Sequence, residues 1–478
     1  MLLKISKYWV KKTFFLCTAL LLNCFGVVYG QITLPSVFSD NMVLQRQSKV
    51  KFWGWAGRGS TVKVIPSWNT DTLTVKANGH AKFEVEFSTP QAGGPYTITV
   101  LNGRFEQMLQ NVLIGEVWLA SGQSNMEWSS LNGLKEMIDE LPRANNDQIR
   151  LLHVNRHASY YPQENFSNKW QISSSESANG FSAIGYFFAK KLQQELGVPV
   201  GIISSNIGGT NAEVWIPDTV VNNDPILAKD ASMYTPSPSR PHEPGTLWNT
   251  MIYPVAGYNL AGFLWYQGES NVARYSHYSQ LMTKLVHSWR KAWGAELPFY
   301  YVQIAPNNYK SKTEEQKGSL LREQQAKLLQ LNKTGMVVVS DLVDNVNDIH
   351  PIQKKEVASR LADLALVDTY GRPLTDYKSP VYKSHHIDGN KVTISFDFLE
   401  EGLMVSNGKN IIDLFIADES KVFKPAQYQI KGNQLIVFND DIRKPVAVRF
   451  AFTDVSVSNL FSKSGLPVSP FRTDNWAL

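Results

Sequence analysis

The stretch Gly122-Gln123-Ser124-Asn125-Met126 directly follows an apolar run, residues 112–120, that has the composition of a buried strand. A serine in that place lies on a strand-to-helix turn, where its hydroxyl is exposed and its backbone amide can bind an anion. A second apolar run, residues 336–339, opens into a polar segment that ends at His350-Pro351. If both strands belong to one sheet, Ser124 and His350 meet at its edge.

Short apolar runs alternate with helical patterns from about residue 111 to residue 373. After the first run we predict strands at 198–204, 261–266, 299–304 and 336–340, and helices before Gly197 and at 278–293, 314–331 and 354–370. This alternation is typical of an α/β domain with a doubly wound, mostly parallel sheet, in which ligands bind beyond the carboxyl ends of the strands. The residues that follow predicted strands at that end are Ser124, Gly208, Gly209, Gln267 and His350.

Period-two patterns predict β structure on both sides of this region. Phe83, Val85 and Phe87 alternate with polar residues before it, and residues 391–396 and 447–452 have strand composition after it. A chain of this length is too long for a single core. We therefore predict an N-terminal all-β domain over residues 31–110, an α/β domain over 111–373 that carries Ser124 and His350, and a C-terminal all-β domain over 374–478.

The first thirty residues have the pattern of a secretory signal peptide. Four lysines precede the apolar run 14–28, and the segment has no acidic residue. We expect cleavage after Gly30 and therefore an exported protein. The alternatives are a retained membrane anchor, for which the run is short and interrupted by Asn23, and lipidation at Cys24.

Charge and cysteine content limit the partners of the mature chain. Both cysteines, Cys17 and Cys24, lie in the signal segment, so the mature protein has no disulfide. Removing the four signal lysines leaves 43 basic against 42 acidic residues, and the net charge falls from +5 to +1. Binding to nucleic acid or to a membrane surface therefore has little support. We predict a bacterial periplasmic or cell-surface location.

Five segments carry a resemblance to a known family. The Gly-x-Ser turn and the distant histidine resemble the first and last conserved blocks of the SGNH hydrolases. Gly122–Met126 and Asp348-Ile349-His350-Pro351 resemble the sialate O-acetylesterase family more narrowly, as do residues 34–46, residues 265–271 (Trp-Tyr-Gln-Gly-Glu-Ser-Asn) and residues 470–474. The matches run in order over nearly the whole mature chain. The resemblance implies a flavodoxin-like SGNH-hydrolase domain between β domains, and removal of O-acetyl groups from sialic acids by a serine acyl-enzyme mechanism.

The chemistry needs a nucleophile, a base and donors for an oxyanion. The resemblance implies that Ser124 is the nucleophile, that His350 is the base, and that the backbone N–H groups of Ser124 and Gly208 form the oxyanion hole with the side-chain amide of Gln267. No metal or cofactor is required, and paired histidines such as His385-His386 lack acidic partners at ligand spacing. Residues expected to contact substrate are Gln123, Asn125, Glu269 and Trp265.

The third catalytic residue departs from the pattern of the superfamily. Asn347 stands three residues before His350, where an aspartate is usual, and Asp348 stands two before it. We predict that Asp348 orients His350. Asp344, Glu269 or a backbone carbonyl are alternatives, and Asp348 could instead cap the helix that follows Pro351.

The substrate is expected to be an O-acetylated sialic acid or another acetylated glycan. An acetylxylan esterase is the nearest alternative, because deacetylation does not depend on the sugar released. A non-catalytic glycan-binding protein is the alternative from another class, favoured by Asn347 alone. Sialate would favour an arginine near the site, for which Arg274 and Arg322 are candidates. Four tryptophans are candidate sugar contacts, with core packing as the alternative for each: Trp128, Trp215, Trp248 and Trp265.

Overall fold

The computed structural model describes residues 31–235, 237, 240–309, 316–408 and 410–477, which divide into two compact units. The smaller unit comprises residues 31–34, Lys51–Phe87 and Tyr96–Gln110. The larger unit comprises Pro35–Val50, Ser88–Pro95 and the chain from Asn111 onward. Across these described ranges, no helix is long and apolar enough to cross a membrane. The predicted signal peptide and the lipidation alternative at Cys24 lie outside the described residues.

The smaller unit consists of β strands. The strands of the first part of the chain are β1 (Val43–Gln45), β2 (Lys49–Trp55), β3 (Thr61–Pro66), β4 (Leu73–Lys76), β5 (Lys82–Ser88), β6 (Gly93–Asn102) and β7 (Phe105–Gly122). β3 pairs with β4 on one side and β6 on the other, and β2 pairs with β5. Phe83, Val85 and Phe87 on β5 are buried while their neighbours are not, which confirms the period-two prediction for this strand.

The larger unit is built on a mainly parallel sheet that continues from β7. Its further strands are β8 (Asn146–His153), β9 (Gln171–Ser173), β10 (Val200–Asn206), β11 (Gly262–Tyr266), β12 (Phe299–Val302) and β13 (Thr334–Val337). The order across the sheet is β13-β12-β11-β7-β10-β8-β9, and every neighbouring pair is parallel except β8 and β9. The predicted strands are confirmed, although β12 and β13 end earlier than predicted. Sequence patterns did not reveal β8 or β9.

Helices connect these strands. They are α1 (Ser124–Glu127), α2 (Lys135–Glu140), α3 (Ser175–Ala178), α4 (Ala183–Leu196), α5 (Asp218–Asn222), α6 (Pro225–Ser232), α7 (Tyr278–Trp293), α8 (Lys317–Lys327) and α9 (Lys354–Leu364). Short 3₁₀ or π segments lie at Ser130–Asn132, Leu141–Arg143, Ala212–Trp215, Trp248–Ile252, Tyr253–Val255, Glu269–His277, Leu328–Gln330, Ala365–Thr369 and Ser406–Gly408. The prediction for α4 is confirmed down to its end, where Gly197 takes the left-handed conformation (φ 66°).

Side chains of strand β11, next to β7 in the sheet, point alternately to two sets of helices. Leu264 and Tyr266 belong to one apolar cluster with residues of α4 and α9. Phe263 and Trp265 contact Trp289 of α7, with ring centroids 5.3 and 5.7 Å apart. The strand is therefore buried on both faces, as its unbroken apolar composition requires.

The last part of the chain forms antiparallel sheets. Its strands are β14 (Val381–Asp388), β15 (Lys391–Asp397), β16 (Leu403–Val405), β17 (Leu414–Ala417), β18 (Lys424–Pro425), β19 (Gln427–Lys431), β20 (Gln434–Phe438), β21 (Ala447–Phe450), β22 (Leu460–Ser462) and β23 (Phe471–Arg472). They pair as β14-β15-β20-β19, β18-β17-β21-β23 and β16-β22 around one apolar cluster. The protein thus combines a mixed α/β region with several all-β sheets, while the predicted domain boundaries stay predictions.

Candidate active site

The serine turn is fixed by the backbone of the central strands. Gly122, the last residue of β7, pairs with Asn206 on one side and Tyr266 on the other. It has φ +137°, and a Cβ at this position would lie 2.2 Å from the carbonyl oxygen of Tyr266, so only glycine fits. The N–H of Gln123 donates to that carbonyl at 3.0 Å. The chain then enters α1, whose first residue is Ser124.

Ser124 and His350 lie together, as their positions after β7 and β13 predict. The Oγ atom of Ser124 is 2.9 Å from Nε2 of His350. The imidazole ring stacks on the indole ring of Trp128, with centroids 4.2 Å apart and planes 19° from parallel. Trp128, a candidate sugar contact, therefore supports the histidine. This geometry allows His350 to take the proton of Ser124.

Asp348 lies beside His350 but does not hold its imidazole closely. Its Oδ1 atom accepts a hydrogen bond of 2.9 Å from the backbone N–H of His350 and is 3.6 Å from Nδ1, which is too long for a hydrogen bond. The Asp348 side chain is 53% exposed. Asn347, in the usual position of the acid, accepts a hydrogen bond from Asn308. Asp344 accepts one from the side chain of Gln353.

Asn125 links the serine turn to the histidine loop and to two buried charged groups. Its Nδ2 atom donates to the carbonyl oxygen of Ile349 at 3.1 Å and to Glu269 Oε1 at 2.5 Å. Its Oδ1 atom accepts from Nζ of Lys354 at 2.6 Å. Asn125 and Glu269 thus bind protein groups here, and their predicted contact with substrate stays a prediction.

Lys354 is a site residue that the sequence analysis missed. It is 1% exposed, and burial lowers its pKa to about 7 against the opposing attraction of Glu269. Burial raises the pKa of Glu269. The pKa of His350 is lowered by burial and then by the charge of Lys354, while Asp348 raises it less. A lysine at the start of a helix gives no sequence signal for this role.

The predicted oxyanion donors differ in what they bind. The backbone N–H of Ser124 has no hydrogen-bond partner among the residues that the structure describes. The backbone N–H of Gly208 donates to Oε2 of Glu127. A Cβ built on Gly208 would lie 3.2 Å from Cβ of Ser124, so this N–H is close to the nucleophile. The backbone N–H groups of Ser124 and Gly208 therefore both lie at the nucleophile, and that of Gly208 already binds the Glu127 carboxylate.

Gln267 does not have a free amide proton in this structure. Its Nε2 atom donates to the carbonyl oxygen of Thr210 at 3.1 Å and to Asn271 Oδ1 at 2.7 Å. Its Oε1 atom accepts from the hydroxyl of Tyr278 at 2.9 Å. Gln267 is fully buried, and its hydrogen bonds stabilise the turn after β11. Because both amide protons already have acceptors, the structure does not support the oxyanion role predicted for this side chain.

Two other residues predicted to contact substrate also contact protein groups instead. Trp265 is 1% exposed and packs against Trp215 and Trp289, which is the core-packing alternative. Oε1 of Gln123 accepts long hydrogen bonds from the backbone N–H groups of Gly268 (3.4 Å) and Ser270 (3.3 Å). The predicted substrate contacts of these two residues therefore have no support from their surroundings.

Each of the two arginines proposed for a sialate carboxylate donates a hydrogen bond to a backbone carbonyl oxygen in this structure. Arg322 is buried and donates to the carbonyl oxygen of Thr453. Arg274 donates to the carbonyl oxygen of Met233 and lies over the ring of Tyr234. Among the described residues, no group of three or more His, Cys, Asp or Glu side chains is arranged to hold a metal ion.

A parallel sheet with a serine–histidine pair beyond its carboxyl edge defines a hydrolase-type nucleophile–base site. Over residues 114–366, more than half of the chain, the sequence matches the family model described as "Carbohydrate esterase, sialic acid-specific acetylesterase". The protein belongs to this family and is a carbohydrate acetylesterase of the sialate O-acetylesterase family, which confirms the resemblance seen in the sequence.

Individual relatives agree over most of the chain. Sialate O-acetylesterase of Homo sapiens is 26% identical over 479 residues, with 91% of each chain covered. The Mus musculus protein of the same name is 26% identical over 508 residues, covering 91% of this chain and 93% of that protein. The crystal structure of a carbohydrate acetylesterase from Xanthomonas citri has a TM-score of 0.85 and 35% identity, covering 93% of this chain and 100% of that one.

Proposed function

We propose that this protein is an exported serine esterase that removes O-acetyl groups from sialic acids. The observation that carries the proposal is the 2.9 Å contact between Ser124 Oγ and His350 Nε2 at the carboxyl edge of the sheet. The sialate O-acetylesterases among its relatives support sialate as the sugar. Acetylated xylan and other acetylated glycans are the substrates to test against it.

In the mechanism, His350 takes the Ser124 proton as Oγ attacks the acetyl carbonyl carbon. The oxyanion that forms is bound by the backbone N–H of Ser124, and by that of Gly208 once Glu127 has moved away. Collapse of this intermediate breaks the bond to the sugar oxygen, which receives the proton from His350. Water then attacks the acetyl-enzyme by the same steps, and acetate leaves with Ser124 and His350 restored.

We also propose that the catalytic region is flavodoxin-like and doubly wound. If β8 and β9 are left aside, the remaining strands of the parallel sheet follow the chain order 2-1-3-4-5, which is the flavodoxin-like order. The two sets of helices that contact β11 support placement of helices on both faces.

The test of the reaction is acetate release from O-acetylated sialic acid and from acetylated xylan, measured in parallel. Ser124→Ala should lose at least about 10³-fold in kcat/KM, because the nucleophile is absent. Ser175→Ala, an exposed serine away from the site, is the matched control. Activity mainly on xylan would keep the mechanism and replace the substrate.

A serine-reactive fluorophosphonate separates an esterase from a glycan-binding protein. We expect labelling at Ser124 and none in Ser124→Ala. Absence of labelling together with no acetate release from either substrate would exclude the esterase mechanism. Export is tested separately by the intact mass of the secreted protein, which should begin at Gln31 if the predicted cleavage occurs.

A further inference from the structure

The Glu127 carboxylate is bound by one of the two backbone donors that we predict for the oxyanion of the reaction. Its Oε2 atom accepts the hydrogen bond of the Gly208 N–H, the donor that lies next to Ser124. An N–H that holds a carboxylate cannot also hold a substrate oxyanion, and two negative charges at one donor repel each other. While Glu127 stays there, the site works without one of its predicted donors.

The other oxygen of the same carboxylate is paired with Arg156. Nη1 of Arg156 lies 2.6 Å from Oε1 of Glu127, and the two side chains are 39% and 22% exposed. Glu127 ends the short helix α1, so its backbone is fixed, but its partly exposed side chain can rotate. The pair is therefore reachable by a ligand and able to rearrange.

Arg156 also lines a cavity of about 500 Å³. The cavity extends to Tyr160, which is 71% exposed, and to Ile207, the residue before Gly208. Pockets of this size hold small organic ligands, and an exposed aromatic ring suits the flat face of a sugar. The cavity thus reaches to within one residue of Gly208, the donor next to Ser124.

We propose that Glu127 and Arg156 form a latch that an acidic sugar opens. A carboxylate on the sugar binds the guanidinium of Arg156 in place of Glu127, because arginine binds carboxylates in a bidentate manner. Glu127 then faces a second negative charge, rotates away from Gly208 and leaves that N–H for the acetyl oxygen. The latch selects anionic sugars over neutral ones. This inference rests on the proposed function, since it concerns the same reaction.

The test compares two substrates that differ in one charge: an O-acetylated sialic acid and its C1 carboxamide. Wild-type protein should prefer the acid by at least about tenfold in kcat/KM, since one oxyanion donor is worth about 10²–10³-fold. Glu127→Ala should raise kcat/KM for both substrates, because neither then has to displace the carboxylate, and should keep the preference for the acid, which Arg156 supplies. Arg156→Met should lower kcat/KM for the acid and bring the ratio of the two values close to one.

Glu127→Gln and the exposed-residue variants Glu176→Gln and Arg443→Ala complete the test. The glutamine variant keeps the shape of Glu127 without its charge and should raise kcat/KM for both substrates as alanine does, while the other two variants should leave both values unchanged. Equal losses on both substrates in the Glu127 variants, with unchanged melting temperatures, would overturn the latch. In that case loss of activity in Ser124→Ala would still support the esterase mechanism. The latch can therefore be disproved without disproving the proposed function.

Discussion

The two segments that meet at the active site are held in different ways. Ser124 follows the central strand β7, and Gly122 before it is paired with a strand on each side. His350 lies in a loop well beyond the end of β13, and most of residues 344–350 are exposed or half-buried. Backbone hydrogen bonds thus position the nucleophile, whereas side chains must position the base.

Two of these side chains come from the serine segment itself. Asn125 donates to the carbonyl oxygen of Ile349, and the ring of Trp128 covers the imidazole. The segment that carries the nucleophile therefore also orients the base. Substitutions in the serine turn should therefore disrupt the whole site. Substitutions in the loop that carries His350 should instead cause partial losses of activity that differ from residue to residue. The following predictions test that difference.

The largest effect is expected for Gly122→Ala. A Cβ 2.2 Å from the carbonyl oxygen of Tyr266 cannot fit without separating β7 from β11, and a positive φ of 137° adds strain. We expect destabilisation by more than about 3 kcal/mol and loss of nearly all activity, measured by chemical denaturation and acetate release. Gly197→Ala, with positive φ but open space, should cost about 1 kcal/mol and keep activity. Similar stabilities for both variants would contradict the close approach.

A smaller but still large effect is expected for Asn125→Ala. The change removes the partner of Lys354 and of Glu269, which are both buried, and releases the carbonyl oxygen of Ile349. We expect about 2–4 kcal/mol of destabilisation, because unpaired buried polar groups are costly. We also expect a roughly 100-fold lower kcat/KM, because His350 loses its orientation. The exposed Asn223→Ala is the control, and a stable variant with normal kcat/KM would refute the positioning role.

The ends of the buried strands could be predicted from the sequence. These strand ends correctly predicted that Ser124 and His350 lie close together. A buried strand has a continuous apolar pattern, and parallel strands place their ends at one edge. The contacts between distant side chains could not be predicted in this way. The hydrogen bond between Glu127 and Gly208 joins residues 81 positions apart, and the one between Lys354 and Asn125 joins residues 229 positions apart. No periodic pattern in the sequence encodes such pairs.

Gln267 illustrates the limit of a motif. Its place after β11 agreed with the resemblance, but whether its amide is free depends on Asn271, Thr210 and Tyr278, which surround it in three dimensions. The strand β8 was missed for a different reason. Its first residues are polar and partly exposed, so the apolar run is short and resembles a helix segment.

Lys354→Met should change the pH dependence more than the rate. His350 must be neutral to accept a proton, and the nearby charge of Lys354 lowers its pKa, with burial as the larger cause. Because the pKa of Lys354 is about 7, the lysine is charged throughout the acid range. Removing it should raise the pKa of His350 and shift the acid limb of the kcat/KM profile to higher pH, with about a tenfold loss of rate. Lys355→Met, an exposed neighbour, should leave the limb unchanged.

The smallest effect is expected for Asp348→Asn, although its position suggests a catalytic triad. Loss of the charge of a triad aspartate that is buried against its histidine costs about 10⁴-fold, whereas Asp348 is half-exposed and 3.6 Å from Nδ1. Solvent screens so exposed a charge, so we expect a loss of about tenfold or less. Since Asp348 raises the pKa of His350, its loss should move the acid limb to lower pH, opposite to Lys354→Met. Asp344→Asn is the matched control on the same loop. A loss near 10⁴-fold would instead mean that the loop closes on substrate and brings Asp348 onto Nδ1, so that the base, like the nucleophile, is held rigidly during the reaction.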